Sequence, residues 1–399
     1  MRKFLRNRMA VVALAVISVY VLVAGYVVLG DFFPGRAGIS LKEVEEPIGP
    51  PVNIPGFLQR ATPEQRVEVC RYYIDEFKRA LRSRDPEQRA ENLKQIHYAE
   101  RVPTRIPAEE LVEIREAAEE IYDRLNESED LNRDPAMLPL VAQLEEQTGR
   151  LFAPLSGWKA VKFDLRWSLG TDRQGRSNFV RGIYSIKVAL AVGLVVAFIA
   201  VLVGTLLGAS AAFLGGWIDH AVVWLYSTLS SMPELVLLAV LVYAFSGTAF
   251  DQASRPWLAL VPVYAAMCME FWIGPCRVIR GEVMKIKELE YVQAVKAVGF
   301  GRMYILLRHV VPNTAHLMFI NFSLLLIAAI KYEVVLSFLG LGVKVGPSWG
   351  RMIQESTPEV INGFFWQIGW ATLLMFVLVL AFNIVADALQ DAFDPKHVG

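Results

Sequence analysis

The sequence has 399 residues, 54% of them hydrophobic and 20% charged, and its formal net charge at neutral pH is zero. The charges are distributed unevenly between two regions. Residues 57–150 contain 21 acidic and 15 basic side chains, so the rest of the chain is net positive. Three cysteines and five histidines without disulfide, zinc-binding or HExxH spacing argue against a metal enzyme, so we expect no bound metal.

The first predicted element is a membrane span at residues 9–30, MAVVALAVISVYVLVAGYVVLG. A helix needs about 20 mostly apolar residues to cross a bilayer core. The apolar run is longer than that of a signal peptide, and no small-x-small cleavage site follows it cleanly. We therefore expect a retained anchor rather than a cleaved leader.

The next segment, residues 31–168, is predicted to be a helical domain outside the membrane. Thr62, Asp85 and Asp134 each place a capping side chain just before a proline, a common start of a helix. A further helix opens at Pro107 and carries apolar residues at helical spacing, at Leu111, Ile114, Ala118, Ile121 and Leu125. Two interpretations stay open: a docking or sensing domain, or an insertion that merely packs on the membrane portion.

Five further apolar segments are long enough to be spans, at residues 186–214, 221–245, 257–276, 316–339 and 364–385. Basic residues precede the first span, and residues 277–313 contain seven basic side chains against three acidic ones. By the positive-inside rule, both stretches and both termini are predicted to be cytoplasmic. The predicted fold is an all-α integral membrane protein with six transmembrane helices and a large helical extracytoplasmic insertion between the first and second.

Small residues recur every fourth position along the second predicted span, at Gly204, Gly208, Ala212 and Gly216. This spacing lets helices approach closely. It indicates either static packing within this chain or a moving interface, for example with a second subunit.

Four charged residues fall in or beside apolar spans, at Glu234, Glu270, Lys331 and Glu333. Charges there are costly and tend to face protein or a watery cavity. They are candidates for a translocation path, with a structural pair or an interfacial position as the alternative. Pro233 is predicted to kink the third span.

The stretch EYVQAVKAVG, residues 290–299, is too short to cross a bilayer and too charged to be buried in one. Tyr291, Val295 and Val298 fall on one helical face, and Gly299 stands where the helix is expected to end. The pattern fits a helix that lies along the membrane surface or one that docks into a groove of a partner.

Gln293-Ala294-Val295, followed by Gly299 and Pro312, resembles the EAA loop of ABC-transporter permease subunits. In that family the loop contains a coupling helix that inserts into a cleft of a separate ATPase. The resemblance implies ATPase contacts for Glu290, Tyr291, Gln293, Ala294, Val295, Gly299, His309 and Pro312.

Other motifs are similar to the oligopeptide and dipeptide importer branch of that family. Residues 169–176, LGTDRQGR, resemble its GTDxxGRD motif, with Gly170, Thr171, Asp172, Gly175 and Arg176 matching. Glu333 and the following LSFLGLG resemble its fifth-span signature, and the carboxyl-terminal tail is also similar. The likeness divides the chain into an anchor at 1–30, an insertion at 31–168 and a five-helix permease core at 169–399 with its coupling loop at 277–313.

The sequence also departs from that family. Gln293 stands where glutamate is common, which removes a carboxylate from the expected ATPase contact, and Val295 replaces alanine, which implies an altered groove. Ser177 replaces the aspartate that usually follows GTDxxGR. The first external loop of the family is ordinarily much shorter than residues 31–168.

The resemblance implies a permease subunit of a peptide-type ABC importer in a bacterial inner membrane. Its expected partners are a second homologous permease, two ABC ATPase domains, an external substrate-binding protein and membrane lipid, without nucleic acid. The chain has no GxxxxGK[ST] phosphate loop, so we expect no enzymatic activity and no bound cofactor, with ATP used by the partner ATPase.

Two other functions remain as alternatives. A nickel or other small-solute importer would use the same scaffold, and His316 with Met267, Met269 and Met318 are the residues that could favour nickel. A membrane sensor with an external ligand domain is the second, although such a protein normally carries an output domain inside.

Overall fold

The computed structural model describes residues 8–34, 38–50, 62–83, 85–96, 98, 101–127, 137–246, 260–361 and 363–393. Within these ranges the chain is helical, and extended pairing is limited to two isolated bridges. The helices are α1 (Arg8–Phe32), α2 (Leu41–Glu45), α3 (Pro63–Ala80), α4 (Pro86–Gln95), α5 (Ala108–Asn126), α6 (Leu138–Arg150), α7 (Trp158–Trp167), α8 (Asn178–Leu214), α9 (Gly216–Leu229), α10 (Glu234–Ser246), α11 (Val261–Phe271), α12 (Ile273–Ile286), α13 (Glu290–Ala297), α14 (Arg302–Ile305), α15 (Val311–Asn313), α16 (Ala315–Phe338), α17 (Trp349–Ile361) and α18 (Trp366–Phe393).

The chain forms two compact units. The core unit contains Met1–Val28, Tyr184–Glu355 and Ala371–Gly399, and the insert unit contains Leu29–Ile183 and Ser356–Trp370. Thus the insert unit includes the residues that precede and begin α8, in addition to the helices between α1 and α8.

Four helices in the described ranges are long and apolar enough to cross a membrane: α1, α8, α16 and α18. Helices α9 and α10 pass the same test only as a pair, which bends by 93° at the break that contains Pro233, where a kink was predicted. The predicted span 257–276 begins outside the described residues, and its remainder forms two helices that meet at Trp272. The apolar helices therefore account for four spans, or five with the bent pair.

Local capping signals explain where the helices of the insert unit begin. The Thr62 hydroxyl accepts a hydrogen bond from the Gln65 N–H at 3.5 Å, and the Asp85 carboxylate accepts one from the Glu87 N–H at 3.0 Å. Both predicted caps are confirmed, whereas Asp134 lies outside the described residues. The predicted apolar stripe of α5 is also buried, and its core members are Leu111, Ile114, Ala118 and Leu125.

An arginine joins the helical bundle of the insert unit to α7. The Arg101 guanidinium lies 5.7 Å from the ring centroid of Tyr73, 5.4 Å from that of Phe152 and 4.8 Å from that of Phe163. Tyr73 belongs to α3 and Phe163 to α7. Each cation–π contact adds about 0.5–2 kcal/mol depending on its desolvation, so this residue fixes α7 against α3.

Close packing in the core unit depends on two glycines of α8. A Cβ atom at Gly204 would lie 2.5 Å from the Trp272 carbonyl oxygen, and one at Gly208 would collide with the Cys276 carbonyl oxygen. Helix α8 therefore touches the backbone of α12 within this chain, which favours static packing over a moving interface for these two residues. At Gly216 a Cβ would meet open space.

Candidate functional site

The region between α12 and α16 contains the predicted coupling loop. The helix that leads into the loop, α12, is held against α9. The Arg280 guanidinium on α12 makes two hydrogen bonds to the Asp219 carboxylate on α9, at 2.7 and 2.8 Å. Arg277, one turn earlier, donates to the Ser230 hydroxyl at 2.7 Å and lies over the Tyr226 ring. Bidentate pairs of this kind restrict orientation as well as distance, so α12 leads into the loop in a defined direction.

Helix α13 is the short helix predicted from residues 290–299. Glu290 is its first residue, where a carboxylate interacts favourably with the positive end of the helix dipole. The helix ends at Ala297, and Gly299 follows with φ +96°, a backbone conformation that side chains disfavour. The predicted end of the helix at this glycine is confirmed.

One side of α13 is anchored in the core unit. Val292 is 2% exposed and packs in a cluster with Ile279, Val283 and Ile305, and Val295 lies partly buried against the same cluster. Complete burial of a valine side chain stabilises by about 1.5–3 kcal/mol. The face predicted from Tyr291, Val295 and Val298 is therefore divided, because Val295 turns towards the chain's own core.

The amide of Gln293 has a specific local partner. Its Nε2 donates a hydrogen bond to the Lys287 carbonyl oxygen at 3.0 Å. A carboxylate has no proton to donate at neutral pH, so the glutamate common at this position could not form this bond. In this chain Gln293 holds α13 against the turn that precedes it, while its side chain stays at the surface.

Tyr291 connects the two ends of the loop. Its hydroxyl accepts a hydrogen bond from Asn313 Nδ2 at 3.0 Å, which ties α13 to α15. Pro312 lies beside Asn313 in α15 and is exposed. Tyr291 is 41% exposed, so the same ring also presents apolar surface to the outside.

Exposed apolar side chains continue beyond α13 and form what we call the coupling surface. Its members are Tyr291, Val298, Phe300, Met303, Tyr304 and Leu307, which are 41% to 75% exposed. The rings of Phe300 and Tyr304 are stacked at 5.1 Å, and His309 meets Tyr304 edge-on at 5.8 Å. In the sequence, residues 300, 303, 304 and 307 have the i, i+3, i+4, i+7 spacing of a docking helix. In the structure Phe300 precedes α14, Met303 and Tyr304 lie on it, and Leu307 lies on the π-helical turn Leu306–Val310 that follows.

The remaining predicted coupling residue, Ala294, is exposed on α13. The structure therefore brings Glu290, Tyr291, Gln293, Ala294 and Gly299 together on one short surface segment. His309 lies half-buried beside Tyr304.

The predicted GTDxxGR motif forms a tight turn in the insert unit. Asp172 accepts hydrogen bonds from Arg176 Nε at 2.8 Å and from Arg181 Nη1 at 2.5 Å. Gly170 and Gly175 both have positive φ, at 68° and 75°. Thr171 Oγ1 donates to the Pro50 carbonyl oxygen at 2.8 Å, so all five motif residues serve the packing of this turn.

The departure from the motif at Ser177 is accommodated locally. Ser177 accepts the Val180 N–H at 3.3 Å and caps α8, a role that an aspartate would also fulfil. Arg176 Nη1 reaches Glu45 of α2 at 2.5 Å. The insert unit therefore supplies a second carboxylate to the arginine of the motif.

The four candidate path residues separate into different environments. Glu234 and Glu270 line one cavity of about 300 Å³ in the core unit. Lys331 is exposed, and Glu333 is 0% exposed. The structure brings the first two together and places Glu333 in the protein interior, which favours the structural alternative for that residue.

Among the residues that the structure describes, no three His, Cys, Asp or Glu side chains lie close enough together to hold a metal ion. Of the residues considered for nickel, Met267 is buried in the main apolar cluster and Met318 packs partly buried against another. His316 Nδ1 lies 3.2 Å from the Asn313 carbonyl oxygen.

The profile of a family described as binding-protein-dependent transport system inner membrane component matches residues 200–398. The dipeptide transport system permease protein of Bacillus subtilis is 35% identical over 228 residues, 57% of this chain and 68% of that protein. The oligopeptide transport system permease protein of Haemophilus influenzae is 31% identical, over 57% of this chain and 70% of its own. The glutathione transport system permease protein of Pectobacterium atrosepticum is 30% identical, over 57% and 72%. The matched residues include the coupling loop and the cavity beside Glu234.

Proposed function

Because this chain belongs to the family of binding-protein-dependent transport system inner membrane components, we propose that it is the permease subunit of an ABC importer for peptides or peptide-like solutes. The relatives transport dipeptides, oligopeptides and glutathione according to their names, which supports a substrate with peptide bonds. Such a substrate carries a cationic amino group at neutral pH. The cavity lined by Glu234 and Glu270 fits that charge better than the surroundings of Lys331 or Glu333.

The proposed topology has six spans. The bent pair α9–α10 forms the third and the apolar residues of α11 and early α12 the fourth, in addition to the four long helices. Both termini and residues 277–313 face the cytoplasm of a bacterial cell, and residues 31–168 face outwards. The basic bias of residues 277–313 supports this orientation.

The proposed complex contains this chain, a second homologous permease, two ABC ATPase domains and an external substrate-binding protein. ATP binding and hydrolysis belong to the ATPase domains, since this sequence has no phosphate loop. The nucleotide-driven movement would reach this chain through α13 and change the packing of its spans.

The observation that carries this proposal is the coupling surface. Its apolar side chains are exposed, yet the two helices that carry half of them are anchored in the core unit, α13 through buried Val292 and α14 through buried Ile305. A water-facing surface of this kind indicates a partner with a complementary apolar groove. Because buried Val292 of α13 packs against α12, a force applied to the coupling surface acts on α12 and does not only displace a loop.

A matched pair of alanines on α13 tests the proposal. Both Ala294 and Ala297 are exposed, but only Ala294 shares a face with Tyr291 and Val298. We expect Ala294→Asp to lose ATPase association and uptake of labelled dipeptide, because it places a charge against the apolar groove. Ala297→Asp makes the same chemical change on the other flank and should retain both.

Co-purification from the membrane followed by mass spectrometry gives the first readout, and uptake gives the second. Retention of ATPase and full uptake in Ala294→Asp would refute the coupling assignment. If both variants fail while remaining in the membrane at equal amounts, the contact is not confined to the proposed face.

A further inference from the structure

Helix α7 presents an exposed apolar face that the proposed function does not use. Trp158, Val161 and Leu165 are 79%, 53% and 53% exposed, and their spacing places them on one side of the helix. The other side is buried, with Phe163 at 8% and Arg166 at 4% exposure. The helix therefore has an exposed apolar face and a buried face that carries both the Phe163 ring and the hydrogen-bonding Arg166.

The orientation of this face is fixed by contacts within the insert unit. Arg166 Nη2 donates to the Glu43 carbonyl oxygen at 2.5 Å, and Lys162 Nζ lies 3.0 Å from the Glu43 carboxylate. The Phe163 ring is stacked on Trp167 at 5.7 Å and lies under Arg101. Helix α7 cannot rotate to bury its apolar face without breaking these contacts.

Two further hydrogen bonds connect α7 to the ends of two apolar helices, to α1 through α2 and to α8 directly. The Leu41 N–H at the start of α2 donates to Asp31 at 2.8 Å, which ties the helix that carries Glu43 to the end of α1. On the other side, the Ser177 hydroxyl donates to the Arg166 carbonyl oxygen at 2.5 Å, and Ser177 directly precedes α8.

Helices α1 and α8 are both candidate spans. In the proposed topology, the end of α1 and the start of α8 meet the same side of the membrane, and Phe32 at that end of α1 is itself 76% exposed. In the proposed topology, α7 is connected to the end of α1 through α2 and to the start of α8 directly, which places it at the level of the boundary between lipid and water.

We propose that α7 is an interfacial helix that inserts Trp158, Val161 and Leu165 into the outer surface of the lipid bilayer. A helix with one apolar face binds a membrane surface in this way, and tryptophan is enriched at the headgroup level. We favour lipid over a protein partner because the contacts that position this face lead to the ends of two candidate membrane spans. The inference rests on the proposed topology.

Spin labels on the full-length protein in lipid vesicles test this assignment. One nitroxide is attached through Val161→Cys or Leu165→Cys, and the matched controls are Lys159→Cys and Asp164→Cys, which are exposed positions off the apolar face. The unmutated chain, with its three natural cysteines, gives the background. Oxygen, which partitions into lipid, and a water-soluble nickel chelate are the relaxing probes.

We expect the ratio of oxygen to chelate accessibility to be higher at positions 161 and 165 than at 159 and 164. Equal ratios at all four positions would overturn the proposal, because the face would then be in water. Immobilised labels at 161 and 165 that neither probe reaches would also overturn it and indicate a protein partner instead. Loss of ATPase binding, which would contradict the proposed function, leaves these ratios unchanged.

Discussion

Glu333 is a carboxylate that the core unit buries completely. The Ser337 hydroxyl donates to its Oε1 at 2.7 Å and in turn accepts the Val343 N–H at 3.1 Å. Cβ atoms at Gly342 and Gly350 would lie 2.5 Å from the Ser337 Cα and 2.7 Å from its Cβ, respectively. The chain reversal after α16 therefore packs directly on this hydrogen-bonded pair, and the family resemblance at this motif has a structural explanation.

Replacement of Glu333 separates a structural role from a role in the path. Glu333→Ala removes the acceptor of Ser337 and leaves a cavity, so we expect a loss of about 2–4 kcal/mol in the free energy of unfolding. Glu333→Gln keeps an acceptor and the side-chain volume and should lose less. The measurement is the thermal unfolding midpoint in detergent. Unchanged midpoints together with lost uptake would assign Glu333 to the path.

At the scale of helices, the approach of α8 to α12 requires the absence of a side chain at Gly204. We expect Gly204→Ala to destabilise the core unit by about 1–3 kcal/mol, because the Trp272 carbonyl oxygen and Pro275 occupy the space of the new methyl group. Gly281→Ala is the control, since nothing lies within 4 Å of its Cβ position, and alanine favours a helix by up to about 1 kcal/mol. Equal unfolding midpoints for the two variants would show that α8 and α12 can separate without cost.

Local signals predict the ends of these helices better than their surroundings. Thr62, Asp85 and Gly299 act through their own backbone neighbours, so the sequence alone predicts the caps of α3 and α4 and the end of α13. The inward orientation of Val295 depends on Ile279 and Val283, which come from another helix. Periodicity over eight residues shows that α13 has two faces, but it does not show which of them the rest of the chain covers.

The same limit applies to charged residues in apolar segments. The sequence shows that Glu234, Glu270 and Glu333 each interrupt a hydrophobic run, and the family motif, which also has an acid at Glu333, favours that residue as the path candidate. The structure separates them because helix orientation decides which carboxylate meets a cavity and which meets Ser337. That orientation is set by long-range packing, which single-sequence patterns do not contain.

At the scale of the whole molecule, the motif turn at 169–177 belongs with the insertion in one compact unit. Asp172 forms buried ion pairs with Arg176 and with Arg181 of α8. The partly exposed Glu45 of α2 joins this network through Arg176, so the network holds the start of α8 to α2. Breaking such a network leaves an uncompensated buried charge, which is strongly destabilising. The insertion contributes Glu45 to this network, so it helps to hold the start of α8 in place.

Cysteine labelling tests on which side of the membrane the insertion lies. Ala117 on α5 and Ala297 on α13 are both exposed alanines of helices, so Ala117→Cys and Ala297→Cys form a matched pair. We expect a membrane-impermeant maleimide to label position 117 in intact spheroplasts and position 297 only after permeabilisation, because the proposed topology places them on opposite sides.

The natural cysteine of the insertion does not disturb this experiment. Cys70 is 3% exposed, and burial raises the pKa of its thiol to about 11. Since the thiolate is the reactive form, its labelling near neutral pH is slow. Labelling of position 117 only after permeabilisation would reverse the orientation of the insertion, and labelling of both positions in intact spheroplasts would contradict the cytoplasmic placement of the coupling loop.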